Sequence, residues 1–321
     1  MLNRRDLLLA SIAAGVAMRN RTALARAAQP STPVNFDVPA GACDCHTHIH
    51  LPDKYPFFAG RVYTPEPASP EEMAELHKAL HIERVVIVTP SVYGTDNRAT
   101  LEGIKFRGAT GRGVAVIDDK TSESDLDEMG KMGIKGIRVN LATSGVNDPS
   151  VGRKRLEGAI DRVKGRGWHV QCYTNIPLLK NVKDLVLSSP VPIVFDHFGG
   201  ADAALGLEQP GWAELIEVVK SGKAYVKISG AYRLSNKGPD YPDAVPFAKA
   251  LIAANPDRLV WGTDWPHPNS VTPPDKKPTD LTPLFQIDDG RLLNQLAVWT
   301  PDAATRKRIL VNNPAKLYGF S

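Results

Sequence analysis

Little in this chain points to a stapled, membrane-embedded or nucleic-acid-binding protein. Its 321 residues hold three cysteines, too few and too scattered for a disulfide framework. Cys43 and Cys45 alternate on one expected strand and Cys172 sits on another. Buried, inert thiols are the expectation, with Cys43 and Cys45 turned toward a helix layer. The formal charge of +4 lies in the first 27 residues, where Arg4, Arg5, Arg19, Arg21 and Arg26 stand against Asp6. Beyond them 34 basic residues balance 34 acidic ones, which argues against a nucleic-acid surface. No glycine-rich phosphate loop follows an early strand, against an open dinucleotide-binding sheet. The apolar run Leu7 to Met18 is too short to remain as a bilayer anchor.

What is present begins with the anatomy of an export leader. Paired arginines Arg4-Arg5 precede the apolar run, and Ala25-Arg26-Ala27 offers small residues for cleavage. The expectation is a twin-arginine-like signal over 1–27 and a periplasmic protein. Residues 28–40, rich in Pro, Ser and Thr without an apolar period, read as a linker. One domain is expected over 41–321.

That domain alternates short apolar strands with amphipathic helices. Strands are expected at Gly41–His50, Val85–Val88, Gly113–Ile117, Gly136–Leu141, His169–Tyr173, Pro192–His197, Ala224–Ile228 and Arg258 onward to Asp264. Between the first two lies Leu51–Pro70, too proline-rich for regular structure and suited to a lid or binding wall. Ser69-Pro70 and Ser122 with Asp125 mark helix starts, and Arg153–Arg166 and Leu281–Val298 read as further helices. Eight such repeats make a (β/α)8 TIM barrel, an α/β fold that collects functional groups at the C-terminal ends of its strands.

Those ends carry chemistry. Asp44, His46 and His48 alternate on the first strand and are expected to share its inner face. Ser91, Arg138, Tyr173, His197 and Arg233 follow at later strand ends, and Gly262-Thr263-Asp264-Trp265-Pro266-His267 delivers a carboxylate where the last strand gives way to a loop. Each alone has a bland explanation, such as a turn-forming Asp or a core ion pair for Arg138. Their convergence on one rim does not.

From Gly41 to Phe320 the chain resembles the amidohydrolase superfamily, most closely its 2-pyrone-4,6-dicarboxylate hydrolase-like lactone hydrolases. The resemblance rests on Asp44-Cys45-His46-Thr47-His48, Gly94-Thr95-Asp96-Asn97, Gly136-Ile137-Arg138-Val139-Asn140, Phe195-Asp196-His197-Phe198-Gly199, Ser229-Gly230-Ala231-Tyr232-Arg233-Leu234 and Trp261 to Asn269. It implies hydrolysis of a small lactone bearing carboxylate or polyol groups. Asp264 would be the general base, with His46, His48 and His197 stabilising the carbonyl oxygen. Arg138 and Arg233 would clamp a substrate carboxylate, with Tyr63, Ser91, Thr95, Tyr173 and His267 as further contacts.

Many relatives bind zinc through first-strand histidines, a fifth-strand histidine and the last-strand aspartate. Here the fifth strand ends Gln171-Cys172-Tyr173-Thr174-Asn175, with His169 at its start. Metal-free catalysis is therefore expected; a bound metal would fall to His46, His48, His197 and Asp264. The second arginine that follows Arg138 in pyrone-dicarboxylate hydrolases is replaced by Leu141-Ala142-Thr143-Ser144-Gly145. Lactone hydrolysis is thus implied without a dicarboxylate being specified. The alternatives are a metal-dependent amidohydrolase or decarboxylase of the same superfamily, and an exported carboxylate-binding protein.

Overall fold

A computed structural model describes residues 27–272 and 274–321, so the expected leader lies, apart from Ala27, outside the described residues. Eight parallel strands form the barrel: β1 Cys43–Thr47, β2 Arg84–Val88, β3 Gly111–Ala115, β4 Ile134–Asn140, β5 His169–Tyr173, β6 Ile193–Phe195, β7 Ala224–Ser229 and β8 Leu259–Gly262. Each pairs with the next in sequence. The circle closes near its upper rim, where Asp264 N–H donates to His46 O (2.9 Å) and His48 N–H donates to Trp265 O (2.8 Å). The expected (β/α)8 barrel is what the chain forms.

The outer layer comprises α1 Pro70–Ala79, α2 Arg98–Arg107, α3 Glu123–Lys131, α4 Pro149–Val163, α5 Leu179–Ser188, α6 Trp212–Lys220, α7 Ala244–Ala254 and α8 Asp289–Trp299. Capping boxes start α1 (Ser69 with Glu72) and α3 (Ser122 with Asp125), as the spacing indicates. The fourth helix begins at Pro149 rather than Arg153, because the Asp148 side chain accepts from Ser150 N–H and proline suits the first turn. No helix among the described residues is long and apolar enough to cross a membrane.

Strict alternation fails in β1, and the failure shapes the site. Asp44 pairs with Val85 but Thr47 with Ile87, so β1 spends three steps where β2 spends two. The extra residue is a bulge, which leaves Cys45 and His46 both facing the barrel axis and turns Asp44 outward. Cys43 and Cys45 consequently pack in the inner layer with Val86, Val88, Val114, Val194, Tyr225 and Val260, plugged from below by Tyr318 and Phe320. The expected helix-facing thiols and the shared face for Asp44, His46 and His48 are both corrected by this one residue. Cys172 does pack in the outer cluster.

Turned outward, Asp44 stitches the barrel seam. Its Oδ1 accepts from His46 N–H (3.1 Å) and Thr263 N–H (3.0 Å), its Oδ2 accepts from Thr263 Oγ1, and His77 of α1 lies 3.2 Å away. β8 approaches so closely that a Cβ on Gly262 would meet His46 N at 2.8 Å, which is why glycine stands there.

Two further expectations change. Only the end of 281–298 is helical: Leu281–Thr282 pairs in parallel with Thr64–Pro65, and Asp288 caps α8 by accepting from Gly290 N–H. The supposed linker is strapped down, for Trp265 Nε1 donates to Ala28 O (3.1 Å) and the Ser31 and Thr32 hydroxyls donate to Asp288 Oδ2 (2.7 and 2.6 Å). Its serine and threonine serve as donors to α8, a use that an apolar period cannot reveal.

Asp44→Ala should leave two buried N–H groups and a hydroxyl without their acceptor at the seam. Denaturant titration is expected to show a loss of at least about 3 kcal/mol.

Candidate active site

Four side chains from three strand ends point at one another. His46 and His48 come from β1, His197 follows β6 and Asp264 follows β8, all of them buried. The three Nε2 atoms lie 3.6, 3.6 and 3.7 Å from Asp264 Oδ1. His197 and Asp264 hold left-handed backbone angles, φ 47° and 68°, a strained conformation for residues with a Cβ and one that clusters at functional sites.

The other carboxylate oxygen is fixed. Asp264 Oδ2 accepts from Tyr232 Oη at 2.6 Å and from Arg233 Nε. Both donors sit on the one-turn helix Ala231–Leu234, entered through Gly230 at φ 58°, where a Cβ would come within 3.2 Å of His197 Nδ1. Burial alone would raise the Asp264 pKa, but the charges around it, the Arg233 guanidinium first, outweigh it and hold the carboxyl well below the usual range. Asp264 Oδ1 has no hydrogen-bond partner, and neither has His46 Nε2.

The outer ring nitrogens are each engaged. His48 Nδ1 lies 2.7 Å from Val88 O, so it donates there and leaves a lone pair on Nε2 of the neutral ring. His197 Nδ1 is 3.0 Å from Ser229 Oγ. His46 Nδ1 is 3.3 Å from both Asp196 Oδ1 and Lys227 Nζ. Burial pushes the His197 pKa down to about 4, and burial with the Lys227 charge lowers that of His46 well below its usual value. Lone pairs aimed at an unpartnered carboxylate oxygen suit a divalent cation, and imidazoles anchored through their second nitrogen are the usual setting for one. Among the described residues His46, His48 and Asp264 form one group able to hold a metal, and His46, Asp196 and His197 form another. His169 packs instead against Tyr318 at the plugged end of the barrel.

Above these groups opens a narrow cleft. Of the sequence-predicted contacts, Tyr63, Ser91, Arg138, Tyr173 and Arg233 line it with His48, His197 and Asp264, and His46 lies beneath. Tyr63 reaches it from the proline-rich loop, which does form a binding wall. Arg138 stacks over Tyr173 at 5.3 Å and donates through Nε to Asp196 Oδ2 (3.1 Å), so its core ion pair and its place in the wall coexist. Thr95 is absent from the lining: the 3-10 turn Ser91–Tyr93 and Gly94 at φ 58° carry it outward, where it is exposed. His267 is absent too, since it turns to Asp289 Oδ2 on α8 at 2.9 Å.

Sequence reading missed several groups. Thr143 and Ser270 line the cleft wall beside Asn140, which stands with Arg138 among the strand-end groups. Below it, Lys227 Nζ donates to Gln171 Oε1 (2.7 Å), and Gln171 Nε2 donates to Asp196 Oδ2 (3.0 Å). Lys227 was visible in principle, as a lone charge within the apolar run Ala224-Tyr225-Val226-Lys227-Ile228.

A closed parallel barrel whose strand ends aim three imidazoles at one carboxylate has the active-site architecture of a (β/α)8 hydrolase. The chain belongs to the amidohydrolase family, whose model matches residues 43–320. It is 33% identical over 295 residues to the 4-sulfomuconolactone hydrolase of Rhizobium radiobacter, covering 90% of this chain and 93% of that one. It is also 33% identical over 301 residues to the 2-pyrone-4,6-dicarboxylate hydrolase of Comamonas testosteroni, covering 91% and 94%. An Agrobacterium tumefaciens protein solved in its apo form superposes with a TM-score of 0.75 at 30% identity, covering 91% of this chain and 99% of that one.

Burial raises the Asp289 pKa to about 6 despite His267 beside it. A carboxyl raised on folding stabilises fully below its unfolded value near 4, and that contribution is lost as pH climbs to about 6. Asp289→Asn should therefore flatten the stability profile between about pH 4 and 6 by about 3 kcal/mol, read from unfolding midpoints across that range.

Proposed function

We propose that the protein opens a small lactone bearing carboxylate or hydroxyl groups, adding water across the ring ester to give a hydroxy acid. The observation that carries this reading is the placement of Asp264 Oδ1, buried and unpartnered, within 3.7 Å of three imidazole nitrogens under a cleft walled by arginines. Asp264 accepts the proton of the attacking water. The water oxygen bonds to the carbonyl carbon, the ring C–O bond breaks, and the proton passes to the departing alkoxide. His46 and His197, whose outer nitrogens face groups able to donate, can carry a proton on Nε2 toward the place where the carbonyl oxygen gains charge, with His48 beside them, and fixed groups of this kind contribute most when they need no rearrangement. Arg138 offers a carboxylate the open edge of its guanidinium, while Tyr63, Ser91 and Tyr173 orient the ring.

A second reading adds a divalent ion held by His46, His48, His197 and Asp264. It is favoured by the anchored outer nitrogens and by the low basicity of Asp264. Such an ion supplies, when bound, positive charge that polarises a carbonyl oxygen. Under either reading Arg233 and Tyr232 keep Asp264 oriented. An exported binding protein would use the same wall without turnover; the export leader over 1–27 remains part of our proposal, and fractionation of cells expressing the whole chain tests it.

A panel of carboxylated and sugar lactones, followed by acid release, should reveal turnover that Asp264→Asn lowers at least about a thousandfold while ligand still binds by calorimetry. Metal analysis of the same sample, repeated after chelation, separates the two readings. Full activity in metal-free protein supports the direct one, whereas binding with no turnover of any lactone would sink hydrolysis altogether.

A further inference from the structure

A layer of buried charge lies under the cleft, and the hydrolytic roles above leave it unexplained. Lys227 is fully buried in β7, with Nζ 3.5 Å from Asp196 Oδ1. Asp196 Oδ2 is held at the same time by Arg138, through Nε and Nη2, both at 3.1 Å. Asp196 thus faces two cations. Asp264 faces one, the Arg233 guanidinium. In these ion pairs three cations, Arg138, Lys227 and Arg233, meet two carboxylates, and one positive charge is left over.

The surplus is presented at Arg138. Arg233 spends its charge on its own carboxylate, and Lys227 has no exposure. Arg138 lines the cleft, and its contacts to Asp196 leave Nη1 uncommitted among the described residues. The neighbouring wall is neutral, made of Asn140, Thr143 and Ser270. A buried charge in excess is costly until an opposite charge joins it, whereas a second anion would meet only neutral dipoles and two carboxylates.

We propose that the cleft selects a lactone carrying one anionic group, and that Lys227 sets that number by sharing Asp196 with Arg138. This deepens the lactone reading and rests on it. Lys227 is a positioning residue: it touches no substrate and acts through the carboxylate it shares. Removing its charge would give Asp196 wholly to Arg138 and neutralise the wall. Removing the charge of Asp196 would do the opposite and leave room for a second anion. An ion among the imidazoles would face the ring carbonyl in every substrate, so a ranking within one ring series reads the Arg138 wall.

The test compares γ-butyrolactone, its 3-carboxylate and its 3,4-dicarboxylate. In the wild type, kcat/KM for the monocarboxylate should exceed both others at least tenfold. Lys227→Met should cut the ratio of monocarboxylate to neutral lactone at least fivefold, chiefly through KM. Asp196→Asn should move preference toward the dicarboxylate, a shift in direction that a merely damaged fold does not produce. A wild type that prefers the dicarboxylate or the neutral ring, or a Lys227→Met protein with the wild-type ratio, overturns the proposal. Calorimetric titration with the same three compounds reads the ranking without turnover. Binding ranked monocarboxylate first with no lactone opened would sink the hydrolysis reading and leave the charge assignment standing; turnover without preference would do the reverse.

Discussion

A carboxylate with one oxygen tied and the other left without a donor is an expensive thing to bury. Asp264 is in that state, and much of the upper barrel can be understood as holding it there. Tyr232 and Arg233 secure Oδ2, while the backbone N–H donates to His46 O across the closing seam. Without those restraints the side chain would turn to satisfy both oxygens, or take up a proton and lose its charge. The left-handed backbone at Asp264 belongs to the same account, because local strain survives only where surrounding contacts leave no alternative.

The seam and the site are therefore one construction. The bulge in β1 places His46 inward beside Cys45 and releases Asp44 to bind β8, and Gly262 lets that strand come close enough for the contact. In a regular β1 Asp44 and His46 would share one face, so either Asp44 would enter the barrel or His46 would leave it. The same carboxylate that closes the cylinder thus determines which imidazoles face Asp264. Beneath them, Lys227, Gln171 and Asp196 join β7, β5 and the end of β6 through a continuous polar layer inside an otherwise apolar cylinder. Such a layer is stable only when its members answer one another, which is why its charges can be counted.

Strand order, the helix starts at Ser69 and Ser122 and the strand-end groups were legible in the sequence, because period and punctuation are local signals and a parallel barrel turns strand ends into neighbours. What could not be read depends on a partner distant in sequence. Nothing within Asp44-Cys45-His46 announces a bulge, since its cause is β8 arriving beside it. His267 and Thr95 lie one turn past their strands, where a single positive φ decides whether a side chain enters the cleft. Lys227 broke an apolar run and could have been caught by asking what a lone ammonium does in a core. Residues 28–40 lack any period because their hydroxyls and carbonyls, rather than an apolar face, bind the body.

That strap also orders events in time. Ala28 bonds Trp265 across 237 residues, and Ser31 bonds Asp288 across 257, so these contacts wait for α8, whereas Gln29 can already meet Glu72. Contacts between such remote positions form late, since a long loop must close before they can reward it. A nascent chain halted before α8 would carry all four converging side chains yet lack the Asp289 that holds His267, beside the aspartate on the same loop. Competence thus waits for α8, and the chain through Asp289 must have left the ribosome before the site is fully held.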